Sequence, residues 1–116
     1  MPATAGWGWH SETGLHFAHL WLGGVFDRHP KLKIVLGHMG ETIPVMLARL
    51  QFTLGHVKAE GLSVLDAYAN NVWITTSGFF GKTSFLAVLE TTALNKIMVR
   101  RPLRPPESFA KSLFFV

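Results

Sequence analysis

Cysteine is absent from the 116 residues, which excludes disulfides, thiolate metal sites and thiol nucleophiles and leaves His, Asp and Glu as possible metal ligands. Long apolar runs are absent too. Although 48% of the chain is hydrophobic, Gly, His and charge interrupt each run before the roughly 20 residues a membrane span needs. The opening MPATAGWGWHSE has neither the basic start nor the apolar middle of a secretion signal, so a cytoplasmic protein with no membrane partner is expected. No P-loop, dinucleotide fingerprint or GxSxG occurs. Excess charge of one sign is also scarce in the body of the chain. Residues 1–99 carry seven basic side chains against six acidic ones, and residues 100–116 carry four against one. Basicity confined to a tail is weak footing for phosphate binding, and no nucleic-acid partner is expected.

What is present alternates helix and strand within the span of one domain. SETGLHFAHLWLGGVFDRHP reads as a helix opening at Ser11 as N-cap, with Leu15, Ala18, Leu22 and Phe26 at helical spacing and Pro30 beyond its end. LKIVL is a β-branched run without alternation, as in a strand buried on both faces. ETIPVMLARLQFTL gives a second helix, with Pro44 tolerated in the first turn and Gly55 as its stop. SVLDAYAN is a shorter helix capped by Ser63, VWITT a second strand, TSFLAVLETTAL a third long helix and KIMV a third strand. Such alternation specifies α/β architecture with parallel strands. Three strands leave two bare edges, so the pattern reads as part of a larger sheet or closed barrel. RRPLRPP then breaks the pattern, and residues 100–116 read as an irregular, basic, proline-rich tail.

In α/β folds the functional groups lie at the carboxyl ends of the strands. After LKIVL this points to VLGHMGE, where His38 and Glu41 sit three residues apart. A carboxylate holding one ring nitrogen leaves the other to move a proton. The simpler alternative is that Glu41 only caps the next helix and His38 bonds to backbone. Arg49, two turns into that helix, could pair with Glu41 or with a substrate carboxylate, or be a solvated helix residue. Glu12, His16 and His19 share a helical face that could hold a metal, but histidines among Leu, Phe and Trp more often pack. His10, His29 and His56 fall in loops or helix ends and carry no constellation. Trp7 and Trp9 could line an aromatic pocket, while Trp21 and Trp73 are expected in the core.

Taken together, WGW, SETGLHFAHLWLGGVFDRHPKLKIVLGHMGETIPVMLARL, VWITTSGFF and NKIMV resemble the amidohydrolase-related, metal-dependent decarboxylases. These include the γ-resorcylate and 2,3-dihydroxybenzoate decarboxylases and aminocarboxymuconate semialdehyde decarboxylase. GGVFDRHPKLKIVLGHMGE is the most specific piece. The resemblance implies a partial (β/α)₈ TIM barrel over residues 1–99, supplying about strands six to eight. It implies non-oxidative decarboxylation of an aromatic or related carboxylic acid, with His38 and Glu41 catalytic and Arg49, Trp7 and Trp9 binding substrate. Hydrolysis of a lactone, ester or amide is the alternative within the same superfamily. It also implies one divalent metal, Zn or Mn, in the full-length family, a small aromatic carboxylate as partner, and leaves a homo-oligomer open. The family's ligands come from an acidic or histidine pair on strand one, a histidine on strand five and an aspartate on strand eight. None of these is found here, so the metal site is expected to be incomplete. The isolated chain is expected to be an inactive fragment or a non-catalytic remnant.

Overall fold

A computed structural model describes residue 4 and residues 6–58, 60–79 and 81–99. The chain runs α1 (Gly8–Leu22), α2 (Val25–Arg28), β1 (Ile34–Leu36), a 3-10 turn (His38–Gly40), α3 (Ile43–Leu54), α4 (Val64–Asn71), β2 (Val72–Thr75), α5 (Lys82–Thr91), a second 3-10 turn (Leu94–Lys96) and β3 (Ile97–Met98). The strands form one parallel sheet in the order β1-β2-β3, with Ile34 opposite Val72, Leu36 opposite Ile74, and Ile74 opposite Ile97. The α/β class and parallel pairing are as expected from sequence. The tail, residues 100–116, lies outside the described residues.

Local chemistry explains most boundaries. Ser63 caps α4, its hydroxyl accepting from the Asp66 N–H at 3.0 Å, and Pro44 stands in the first turn of α3, where its missing N–H has no intrahelical partner to lose. α1 departs from expectation at both ends. It begins at Gly8, so Ser11 lies inside the first turn and its hydroxyl donates to the Trp7 carbonyl instead of capping. It stops at Leu22, and Gly23-Gly24 turn the chain before a separate α2. The helix buries Phe17, Ala18 and Trp21, leaving Leu15 exposed. The buried stripe is thus centred on the aromatic side chains, which remove more apolar area from water than leucine does.

Phe17, Trp21, Phe26 and Tyr68 pack behind the sheet against Val72 and Ile74. Trp21 donates from Nε1 to the Leu62 carbonyl at 2.8 Å, and the Tyr68 hydroxyl shares a hydrogen bond with Thr92 Oγ1 at 2.7 Å. Buried Asn71 donates to the Pro30 and Leu32 carbonyls at 3.1 and 2.7 Å, fixing the approach to β1 against the end of α4. Among the described residues, only one face of the sheet is covered. Val35, expected to be buried, is 57% exposed, and its partner Trp73 shares that face beneath the Lys33 and Lys96 ammonium groups rather than entering the core. Burial of β1 on both faces would need a further layer against Val35.

Candidate functional site

The carboxyl end of β1 runs into a tight corner. His38, Met39, Gly40 and Glu41 are four consecutive residues with φ between 48 and 74°, a region that costs residues bearing a Cβ about 1–3 kcal/mol each. Gly40 is obligatory here, because a Cβ would lie 2.8 Å from Ile74 Cδ1 and 3.1 Å from Pro44 Cγ. The corner throws the His38 and Glu41 side chains together, His38 Nδ1 lying 2.7 Å from Glu41 Oε1. Glu41 is therefore not a helix cap. The N-cap of α3 is Thr42, which makes no side-chain capping bond.

The second oxygen, Glu41 Oε2, bonds His10 Nδ1 from the first turn of α1. His10 stands at a helix end, as expected, but belongs to a constellation, contrary to expectation. Thirty-one residues separate it from Glu41, so no local spacing signals the contact; its place about two turns before Phe17, on the aromatic face of α1, is the trace the sequence carries. Each ring thus turns Nδ1 to a Glu41 oxygen, and Nε2 of His38 is the nitrogen that Glu41 does not hold. The Glu41 side chain is 7% exposed, His10 14% and His38 47%. The carboxylate is buried between two rings, one of which reaches solvent.

Neighbouring groups set the rings. Phe79 stacks obliquely on His10 with centroids 4.8 Å apart, and the two imidazoles meet edge-on at 5.5 Å. Gly78, beyond β2, has φ +86°, and a Cβ there would overlap the His38 ring at 2.8 Å from Nε2 and nearer still to Cδ2. The missing side chain makes room for the His38 ring, whose Nε2 is the nitrogen that Glu41 does not hold. A cleft of about 300 Å³ adjoins the corner, lined by Trp7, His10, Glu41, Phe79 and Ser84 among others.

Trp7 therefore stands at the cleft, while Trp9 is exposed on α1 outside its lining. Arg49 is exposed on α3, and the ion pairs of Glu41 are with His10 and His38, so of the alternatives for Arg49 the pair with Glu41 is not formed. Glu12, His16 and His19 are all exposed. Among the described residues, the cluster with metal-ligand geometry is instead His10, His38 and Glu41, whose donor atoms all lie within 4.8 Å of one another.

Parallel strands carrying their polar cluster at the carboxyl ends define an α/β enzyme scaffold. Comparison with known proteins makes this specific, and the chain belongs to the amidohydrolase family, whose model matches residues 2–98. Decarboxylase orsB of Emericella nidulans is 41% identical over 96 residues, 80% of this chain and 29% of that protein. The γ-resorcylate decarboxylase of Rhodococcus jostii is 35% identical over 97 residues, 79% of this chain and 30% of that protein. Among solved structures, 5-carboxyvanillate decarboxylase LigW of Sphingomonas paucimobilis superposes with TM-score 0.76 at 33% identity, over 92% of this chain and 34% of its own. The dihydroxybenzoic acid decarboxylase of Polaromonas, solved with manganese and 2-nitroresorcinol, gives 0.74 at 28% identity, over 90% and 34%. A 2,6-dihydroxybenzoate decarboxylase in complex with 2,6-dihydroxybenzoate gives 0.70 at 33% identity, over 80% and 30%. The chain is thus homologous to carboxy-lyases that act on aromatic acids and spans about 30% of the length of the curated relatives it matches. Among the described residues no helix is long and apolar enough to cross a membrane.

Proposed function

We propose that residues 1–99 supply strands six to eight of a metal-dependent (β/α)₈ barrel that decarboxylates an aromatic acid, with residues 100–116 a separate tail. The observation that carries this reading is the His38–Glu41 pair, 2.7 Å apart at the carboxyl end of a parallel strand. Decarboxylation needs a proton delivered to the ring carbon that bears the carboxylate. The bond to the carboxylate then breaks, its electron pair returns to the ring, and CO₂ leaves. Glu41 holds Nδ1 of His38 and orients the ring, so Nε2, beside Gly78, is the nitrogen that carries the proton. Trp7 walls the cleft as a substrate contact; Arg49 and Trp9, the other two substrate-contact candidates, lie outside its lining. The bare face of the sheet, with Val35 and Trp73, is the face that a closed barrel turns inward.

Zn or Mn, when bound, would hold the substrate's carboxylate and hydroxyl oxygens. Two imidazoles and a carboxylate suit such an ion in number and kind, although they differ from the strand-one, strand-five and strand-eight set that the family resemblance implies. The isolated polypeptide is expected to be inactive, because the described residues supply none of that set.

The test is a chimera in which residues 6–99 replace the matching stretch of the Rhodococcus γ-resorcylate decarboxylase, assayed with Mn²⁺ and 2,6-dihydroxybenzoate. CO₂ release is expected, falling about 10²–10⁴-fold in His38→Asn, the range for a lost general acid or base. The family model, described by amide hydrolysis, favours a second reading as a lactone, ester or amide hydrolase. A folded chimera that hydrolyses such substrates without releasing CO₂ would establish that reading and sink decarboxylation.

A further inference from the structure

We propose that His10, His38 and Glu41 form a binding site for one divalent cation of the Zn²⁺ class, built by this chain itself. The donors differ from those the family resemblance implies, because His10 comes from α1 and both other ligands from the corner after β1. The inference does not rest on the decarboxylase reading and stands whatever reaction the barrel performs.

The geometry supplies three converging donors. Both imidazoles direct Nδ1 at one carboxylate, one on each oxygen, and all three ligand atoms fall within 4.8 Å of one another. Ligands arranged around a tetrahedral ion at about 2.0–2.2 Å stand about 3.3–3.6 Å apart, so an ion would be admitted by each imidazole drawing back from its hydrogen-bonded Glu41 oxygen by roughly an ångström. Both Nδ1 atoms are hydrogen-bonded to Glu41, and the ion would take the place of the protons shared in those bonds. Glu41 and His10 are largely withdrawn from water, where a cation strengthens its hold on a carboxylate. The adjoining cleft admits the ion and has room for a water as fourth ligand.

The donor chemistry selects the metal. Two nitrogens and one carboxylate match the ligand set of open zinc sites, and oxygen-seeking Mg²⁺ and Ca²⁺ are poorly served by it. In the affinity order of first-row ions Zn²⁺ exceeds Mn²⁺. An ion on Nδ1 of each ring leaves Nε2 of His38 beside Gly78.

The full chain is titrated with Zn²⁺ by calorimetry and with Co²⁺ by visible absorption. One ion per chain and the intense bands of tetrahedral Co²⁺ are expected. Affinity should fall by at least about tenfold in His10→Ala and in Glu41→Gln, and stay unchanged in a His16→Ala/His19→Ala double variant. Far-UV circular dichroism of the metal-free variants confirms their folding. Imidazole NMR of the unaltered chain needs no substitution and should show Zn²⁺ shifting His10 and His38 but not His29 or His56. Absence of saturable binding, shifts confined to other histidines, or a folded His10→Ala variant that binds like the parent would each overturn the site.

Discussion

Gly78 and Gly37 both border the His38 corner, and only one of them must be glycine. Gly37 has φ −72° and ψ −178°, open to any residue, and the nearest atom to a Cβ there is Thr75 Oγ1 at 4.0 Å. Gly78 combines a left-handed φ with a Cβ position already filled by the His38 ring. Gly78→Ala should therefore cost about 1–3 kcal/mol in urea unfolding and displace the His38 ring from Glu41, read as a change in its NMR signals. Gly37→Ala should do neither. Equal behaviour of the two variants would show that Gly78 does not set the ring. At this scale the sequence is readable where partners are close along the chain. His38 and Glu41 lie three residues apart and could be paired by inspection. His10 could not, because its contact with Glu41 exists only after α1 has packed across the end of the sheet, and Arg49 looks like a partner until His10 is seen on the second carboxylate oxygen.

Elements were legible where a local device marks them. Ser63 before α4, Pro44 in α3 and the β-branched run of β2 each force one outcome, and the order of long helices and strands follows from them. The start of α1 has no such device, since Trp7 caps it without a side-chain bond. The loop from Gly55 to Ser63 is fixed by tertiary contacts that spacing does not reveal. Asp27, on α2, accepts from Lys58 Nζ at 2.5 Å and from the Leu62 N–H at 2.6 Å, clamping that loop under Trp21. The Lys58 hydrogen bond foremost, then the Leu62 N–H, holds the Asp27 carboxyl below its ordinary 3.8. A group depressed in the folded state stabilises it above the unfolded-state value, and that contribution disappears as pH falls through the lowered folded value. Asp27→Ala should accelerate amide exchange at Leu62 near neutral pH, and its stability deficit should shrink in acid. A deficit independent of pH would show that the clamp is steric rather than ionic.

At the scale of the whole molecule, the sheet is half covered. Among the described residues, helices bury the face that carries Val72 and Ile74, Val35 and Met98 remain exposed on the other, and β1 and β3 each pair on one side only. Parallel strands are ordinarily buried on both faces, and an unpaired edge beside bare apolar surface is a template for another chain. The chain spans about 30% of its curated relatives' length, and among the described residues nothing covers that face. The purified chain should consequently associate with itself as concentration rises, seen as a growing sedimentation coefficient. Val35→Lys places a charge on the bare face and touches none of the residues packed behind the sheet, so it should shift the chain toward monomer while the helical circular dichroism persists. Ser11 and Arg49 lie elsewhere on the exposed surface, and lysine there should leave the association intact. A chain that sediments as a monomer at every concentration, or a Val35→Lys variant that associates like the parent, would show that the open sheet is not the surface that joins.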